Sequence, residues 1–137
     1  MRLKLQVVGN GQIIFEMPLS PLDWQKEDLE NEFNATEEDF EKLSRLFDAL
    51  SHETRLRMMR RVMEEEDHTL SFADFMRDLN LNPKIVWENS KKLEAGGLLE
   101  KTGRGKYSCS QSGQTTFIMM SLALRRLVEC LEEMDQL

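Results

Sequence analysis

Lys84, Trp87, Glu88 and Lys91 are the side chains in this 137-residue sequence whose types and spacing best suit chemistry. At 100° per residue Lys84, Glu88 and Lys91 gather on one side of a helix with Trp87 and Lys92 flanking them, while Val86, Ser90 and Leu93 fall on the other. Lysine bonds guanine edges and glutamate accepts from cytosine N4, so such a face fits the floor of a DNA major groove. Lys101, Arg104 and Lys106 surround a Gly103-Arg104-Gly105 turn, where cations suit phosphate or minor-groove contact. Each set also has a plainer account. The first fits a solvated helix face with Trp87 packed on an N-terminal arm, and the second fits any polar hairpin tip.

Other chemistry finds little purchase. His52 and His68 sit in different segments, and neither pairs with a nucleophile or with a ligand at metal spacing. The run Glu64-Glu65-Glu66-Asp67-His68 reads as the solvated end of a helix. Cys109 and Cys130 have no redox spacing. Gly-rich phosphate loops, nucleophile elbows and paired acid–base residues are absent from the sequence. The reading therefore predicts no enzyme, no cofactor and no metal site.

A net charge of −7 argues against a nucleic-acid partner until its distribution is considered. Residues 1–54 hold 5 basic and 12 acidic side chains, whereas residues 55–137 hold 13 of each. Within residues 81–111, six cations stand against Glu88, Glu94 and Glu100, a local charge of +3. The acid lies mainly in the N-terminal third. No apolar run approaches the roughly 18 residues of a membrane span, and the first twelve residues lack a signal-peptide h-region. A cytoplasmic protein without a membrane partner is the expectation.

The elements that would position these residues follow from periodicity. Residues 2–8 and 12–17 alternate as two strands about Gly9-Asn10-Gly11, with Leu3, Leu5 and Val7 facing Ile13, Phe15 and Met17. Residues 22–34 are acidic and fit either a short helix or a draped arm. Thr36 is expected to cap a helix bearing Phe40, Leu43, Phe47 and Leu50 on one stripe. Ser51 is expected to cap the next, with Leu56, Met59 and Met63 inward and Arg55, Arg57, Arg60 and Arg61 mostly outward. Ser71 opens a short third helix burying Phe72, Phe75 or Met76, and Leu79. Asn80 suits a left-handed helix stop, Asn82 a cap and Pro83 a first helical position, which together spell a helix-turn-helix. The helix from Pro83 ends at Gly96-Gly97, and 98–110 form a two-stranded wing. A last helix over about 114–135 carries Phe117, Met120, Leu124, Leu127, Leu131 and Met134 at spacings of three and four, an a/d seam.

The string Leu46-Phe47-Asp48-Ala49-Leu50-Ser51-His52-Glu53-Thr54-Arg55-Leu56-Arg57-Met58-Met59 resembles the opening signature of the ArsR-type winged-helix regulators. Asn82 through Glu100, ending Lys91-Lys92-Leu93-Glu94-Ala95-Gly96-Gly97-Leu98, is similar to that family's recognition helix and first wing strand. The resemblance covers residues 40–112. Asn89 and Ser90 depart from the family's usual His-Leu, which weakens an apolar contact, and the third helix lacks the Cys pair of the metal sensors. The resemblance implies an α+β winged helix-turn-helix reading double-stranded DNA as a homodimer built from the first and last helices. Its half-sites would lie about one helical turn apart.

The reading thus divides the chain into a hairpin and acidic arm (1–35), a winged helix-turn-helix (36–111) and a dimerisation helix (112–137). DNA contacts are expected from Lys84, Trp87, Glu88, Lys91, Lys92, Lys101, Arg104 and Lys106. Dimer contacts are expected from Phe40, Phe117, Met120, Leu124, Leu127 and Leu131. A winged helix serving protein–protein contact through its acidic arm is the alternative.

Overall fold

The computed structural model describes residues 2–135, and the chain divides into two compact units, Met1–Glu41 and Lys42–Leu137. In the first unit, β1 (Lys4–Gly9) and β2 (Gln12–Pro18) form an antiparallel hairpin. Its turn is Asn10-Gly11, both at positive φ (52° and 77°), the backbone that a two-residue turn matched to strand twist requires. Leu5 opposes Met17 and Val7 opposes Phe15. Ile13, expected in step with Phe15, instead opposes Val8, because a bulge leaves Ile14 without a partner.

A single 3₁₀ turn, Pro21–Asp23, follows with Ser20 as its cap. The Trp24 indole donates to the Pro18 carbonyl at 3.0 Å. Then α1 (Lys26–Glu38) decides between the two expectations for the acidic segment in favour of a helix. It also corrects the placement of Thr36, which caps nothing. Thr36 lies in the last turn of α1, its hydroxyl donating to the Glu32 carbonyl at 2.8 Å, so the boundary expected after residue 35 falls inside a helix. None of residues 2–41 is buried.

The second unit holds the core. It contains most of α2 (Phe40–Leu50), then α3 (Glu53–Glu64), β3 (Thr69–Ser71), α4 (Phe72–Leu79), α5 (Pro83–Ala95), β4 (Glu100–Gly103) and β5 (Lys106–Ser108). The cap of α3 is His52, whose Nδ1 accepts from Thr54 N at 3.2 Å, and not Ser51, whose hydroxyl turns back to the Asp48 carbonyl. Inward on α3 are Met58, Met59 and Val62, all fully buried, while Leu56 remains at the margin. Arg55, expected outward, is 8% exposed.

The strands expected at 98–110 are present, but not as a two-stranded sheet. β3 pairs with β5 opposite β4, in the order β3-β5-β4. Leu70 and Lys101 both oppose Tyr107, so the central strand's tyrosine is buried and lies 6.0 Å from the Phe75 ring. Three residues do not show a strand's periodicity, which is why β3 escaped the sequence reading.

The C-terminal helix runs from α6 (Gln111–Ile118) through a π-helical turn, Met119–Ala123, into α7 (Leu124–Asp135). The wider turn breaks the single seam expected along this helix, since the period changes between Met120 and Leu124. No helix among the described residues is long and apolar enough to cross a membrane.

At the start of α4, Ser71 accepts from Asp74 N and the Asp74 carboxylate accepts from Ser71 N, each at 3.0 Å, a reciprocal cap. These bonds and the Arg77 guanidinium hold the Asp74 carboxyl below its usual range. A group whose folded-state pKa is depressed stabilises the fold above its unfolded value and loses that effect as pH falls through the folded one. Asp74→Ala should therefore lower stability by about 1 kcal/mol at neutral pH. The gap to the parent should narrow in acid, measured by urea denaturation at a series of pH values.

Candidate nucleic-acid interface

Local chemistry sets α5 in place. Leu79 is followed by Asn80 in the left-handed region (φ 53°, ψ 50°), which closes α4 as its sequence predicts. Leu81 packs against the core, and Leu81 N donates to the Met76 carbonyl at 3.0 Å. The Asn82 side chain accepts from Ile85 N at 2.9 Å, and Pro83 occupies the first turn, where its missing N–H costs nothing. Two helices thus meet across three residues.

The buried side of α5 is Val86, Asn89, Ser90 and Leu93, and the exposed side carries Lys84, Trp87, Glu88, Lys91 and Lys92. Trp87 is 56% exposed, a large apolar surface for a monomer to leave in water. Lys91 Nζ stands 5.7 Å from the Trp87 ring centroid, within cation–π range. Lys84 lies 3.8 Å from Glu88 and Lys91 the same distance from Glu94, loose pairs a ligand can exchange. Lys92 differs from these. Its ammonium is 2.8 Å from Asp48 and holds that carboxyl below its usual range.

Lys101, Arg104 and Lys106 are exposed on the β4–β5 hairpin, and among the described residues none has an acidic group within ion-pair distance. The hairpin meets α5 through Ser90, which is fully buried and 3.4 Å from the Tyr107 hydroxyl. An open cleft of about 560 Å³ lies along α5, lined by residues that include Thr54, Ile85, Trp87, Glu88 and Lys91.

The residue that sequence reasoning missed is Arg55. Its Nε donates to the Ala49 carbonyl at 3.0 Å, Nη2 to the Asp48 carbonyl at 2.8 Å, and Nη1 to Asn89 Oδ1 at 2.7 Å. Asn89 Nδ2 in turn donates to the Ile85 carbonyl at 2.8 Å. Asn89 therefore makes a polar contact where the resemblance in the sequence implied a weakened apolar one. The signal was in the sequence: Asn89 and Ser90 share a face with Val86 and Leu93, so they needed a buried polar partner.

The residues expected at a dimer contact separate into two groups. Phe117 belongs to the core of its own chain, and Met120 is half-buried. Phe40, Leu124, Leu127 and Leu131 are exposed, along with Leu122 and Val128. The two cysteines also differ: Cys130 is exposed, and burial pushes the Cys109 thiol up, with the Glu100 carboxylate adding to it. Among the described residues, no group of three His, Cys, Asp or Glu is placed to hold a metal ion.

Comparison of the sequence with models of known protein families and with curated proteins returns no match.

The Arg55 geometry generates a stability prediction. Arg55→Met leaves the Ala49 carbonyl and the Asn89 oxygen without the guanidinium donor, removes one of the donors to the Asp48 carbonyl, and should cost about 3 kcal/mol. The double variant Arg55→Met, Asn89→Leu should recover part of that loss in urea denaturation, because both polar partners are then gone.

Proposed function

We propose that this chain is a homodimeric, sequence-specific DNA-binding regulator of the ArsR-like winged-helix type, acting in the cytoplasm. One observation carries the reading. A helix capped by Asn82 and Pro83 exposes Lys84, Trp87, Glu88 and Lys91 on one face. The hairpin packed against its other face carries three cations without acidic partners among the described residues. In this reading α5 enters the major groove and the β4–β5 hairpin is the wing. Exposed base-edge donors and acceptors on the helix would discriminate sequence, and the wing cations would hold phosphate.

The dimer belongs to the same proposal. Leu124, Leu127, Val128 and Leu131 are each more than 40% exposed along α7, an apolar stripe that water tolerates poorly on an isolated helix. A second copy laid against it would give two reading helices related by a two-fold axis.

A second reading, a protein–protein adaptor working through the first unit, is favoured by one feature. Val8, Ile13, Ile14 and Phe15 are exposed on the hairpin, close in sequence to six acidic residues of α1. Retention on heparin at low salt separates the two, since an acidic adaptor should pass through.

Two outcomes test the regulator. Lys84→Ala and Lys91→Ala should each weaken binding to a duplex selected from a random pool more than to a scrambled one, by about 1–3 kcal/mol. Arg104→Ala should weaken both duplexes alike and reduce the salt slope by about one unit. Equal, small effects of all three would remove the assignment.

Leu124→Glu with Leu127→Glu should leave a monomer in sedimentation, because a charge buried without a partner costs several kcal/mol. An unchanged dimer would place the interface elsewhere.

A further inference from the structure

Three residues of the α5 segment, Asn89, Lys92 and Gly96, recur at intervals of three and four and lie within an arc of about 60°. All three meet the C-terminal turn of α2. Asn89 reaches it through Arg55, whose guanidinium also holds the Asp48 and Ala49 carbonyls. Lys92 reaches it directly, 2.8 Å from the Asp48 carboxylate. Gly96 reaches it by lacking a side chain: a carbon there would stand 2.6 Å from Ala49 Cβ and 3.2 Å from the Arg45 carbonyl oxygen. The backbone at Gly96 has φ −80°, so close approach and not conformation requires the glycine.

We propose that Asn89, Lys92 and Gly96 form a registry stripe that fixes the rotation of α5 against the end of α2. In this arrangement Lys92 is a positioning residue for the reading face and not a phosphate contact. The inference rests on the DNA-reading proposal for its consequence, though not for its geometry. A helix held along one line can turn only by breaking that line. Rotation by a single residue position, 100°, would replace Lys84 and Lys91 in the groove with their neighbours. The same ion pair gives Lys92 a fixed carboxylate that a DNA phosphate would have to displace.

The test uses the full chain with Asp48→Asn, Lys92→Ala and Gly96→Ala. Each is titrated against the selected and scrambled duplexes at several salt concentrations. The Trp87 indole N–H is followed by NMR, assigned with Trp24→Phe. A positioning role predicts that Asp48→Asn and Lys92→Ala lower the selected-to-scrambled ratio alike, by about two- to fivefold. The salt slope should not move, and the Trp87 resonance should shift in every variant. Gly96→Ala should act in the same direction and be partly rescued by Ala49→Gly. The proposal is overturned if Lys92→Ala reduces the salt slope by about one unit while Asp48→Asn, by freeing the lysine, tightens scrambled binding. Should Gly96→Ala fail to fold, the two exposed-pair variants decide alone. Should the parent bind neither duplex, the regulator reading fails, and the stripe stands or falls on whether the Trp87 resonance moves.

Discussion

The arrangement of the second unit depends on the hydrogen bonding of one buried cation, Arg55. A guanidinium taken out of water costs several kcal/mol unless its donors are matched. Here the match comes from α2 and α5 together: the Asp48 and Ala49 carbonyls at the end of α2, and the amide oxygen of Asn89. The last carbonyls of a helix have no partner within it, so a cation there satisfies an obligatory demand and also sits at the negative end of the helix dipole. Because α3 begins only two residues after α2 ends, Arg55 on its first turn is placed to do this. The consequence is that α5 must present Asn89 inward, and its opposite face is then fixed.

That constraint explains why the two halves of the inner face of α5 differ in character. Val86 and Leu93 join the apolar core with Met58, Met59, Val62 and Phe75. Asn89 and Ser90 between them are polar, yet both are buried, because each meets a partner: Arg55 for one, the Trp87 carbonyl at 3.0 Å and Tyr107 for the other. A leucine at either place would pack well but leave Arg55 or Tyr107 with one partner fewer. Buried polar contacts are directional where apolar ones are not, so they set rotation where Val86 and Leu93 set only depth.

The sequence made the punctuation legible. Asn10-Gly11, Asn80, Asn82-Pro83 and Gly97 each set a local backbone choice, and each does so in the structure. The outward face of α5 followed from its period. What stayed hidden depends on distant partners. Arg55 looked like one of four surface arginines, because nothing local separates it from Arg57 or Arg60. Strand β3 is recognisable only through its pairing with β5, which lies 37 residues away at Leu70↔Tyr107. Thr36 carries a good capping signal, yet α1 arrives from Lys26 already formed, and a helix that has started elsewhere has no use for it. The π-helical turn left no mark in the spacing of the apolar residues.

Charge placement on the second unit then divides labour in a way the total of −7 conceals. Lys84, Lys91 and Lys92 all have carboxylates within 4 Å, so α5 contributes little net field despite its cations. Lys101, Arg104 and Lys106 have none among the described residues, and their field reaches outward to about the Debye length, roughly 8 Å in physiological salt. On the proposed reading, attraction to phosphate comes first from the hairpin, and the helix engages at contact range by exchanging Glu88 and Glu94 for base edges. Discrimination is sharper under such an order, because breaking Lys84–Glu88 and Lys91–Glu94 is repaid only where the groove offers matching acceptors. A face of free lysines would hold any sequence equally well.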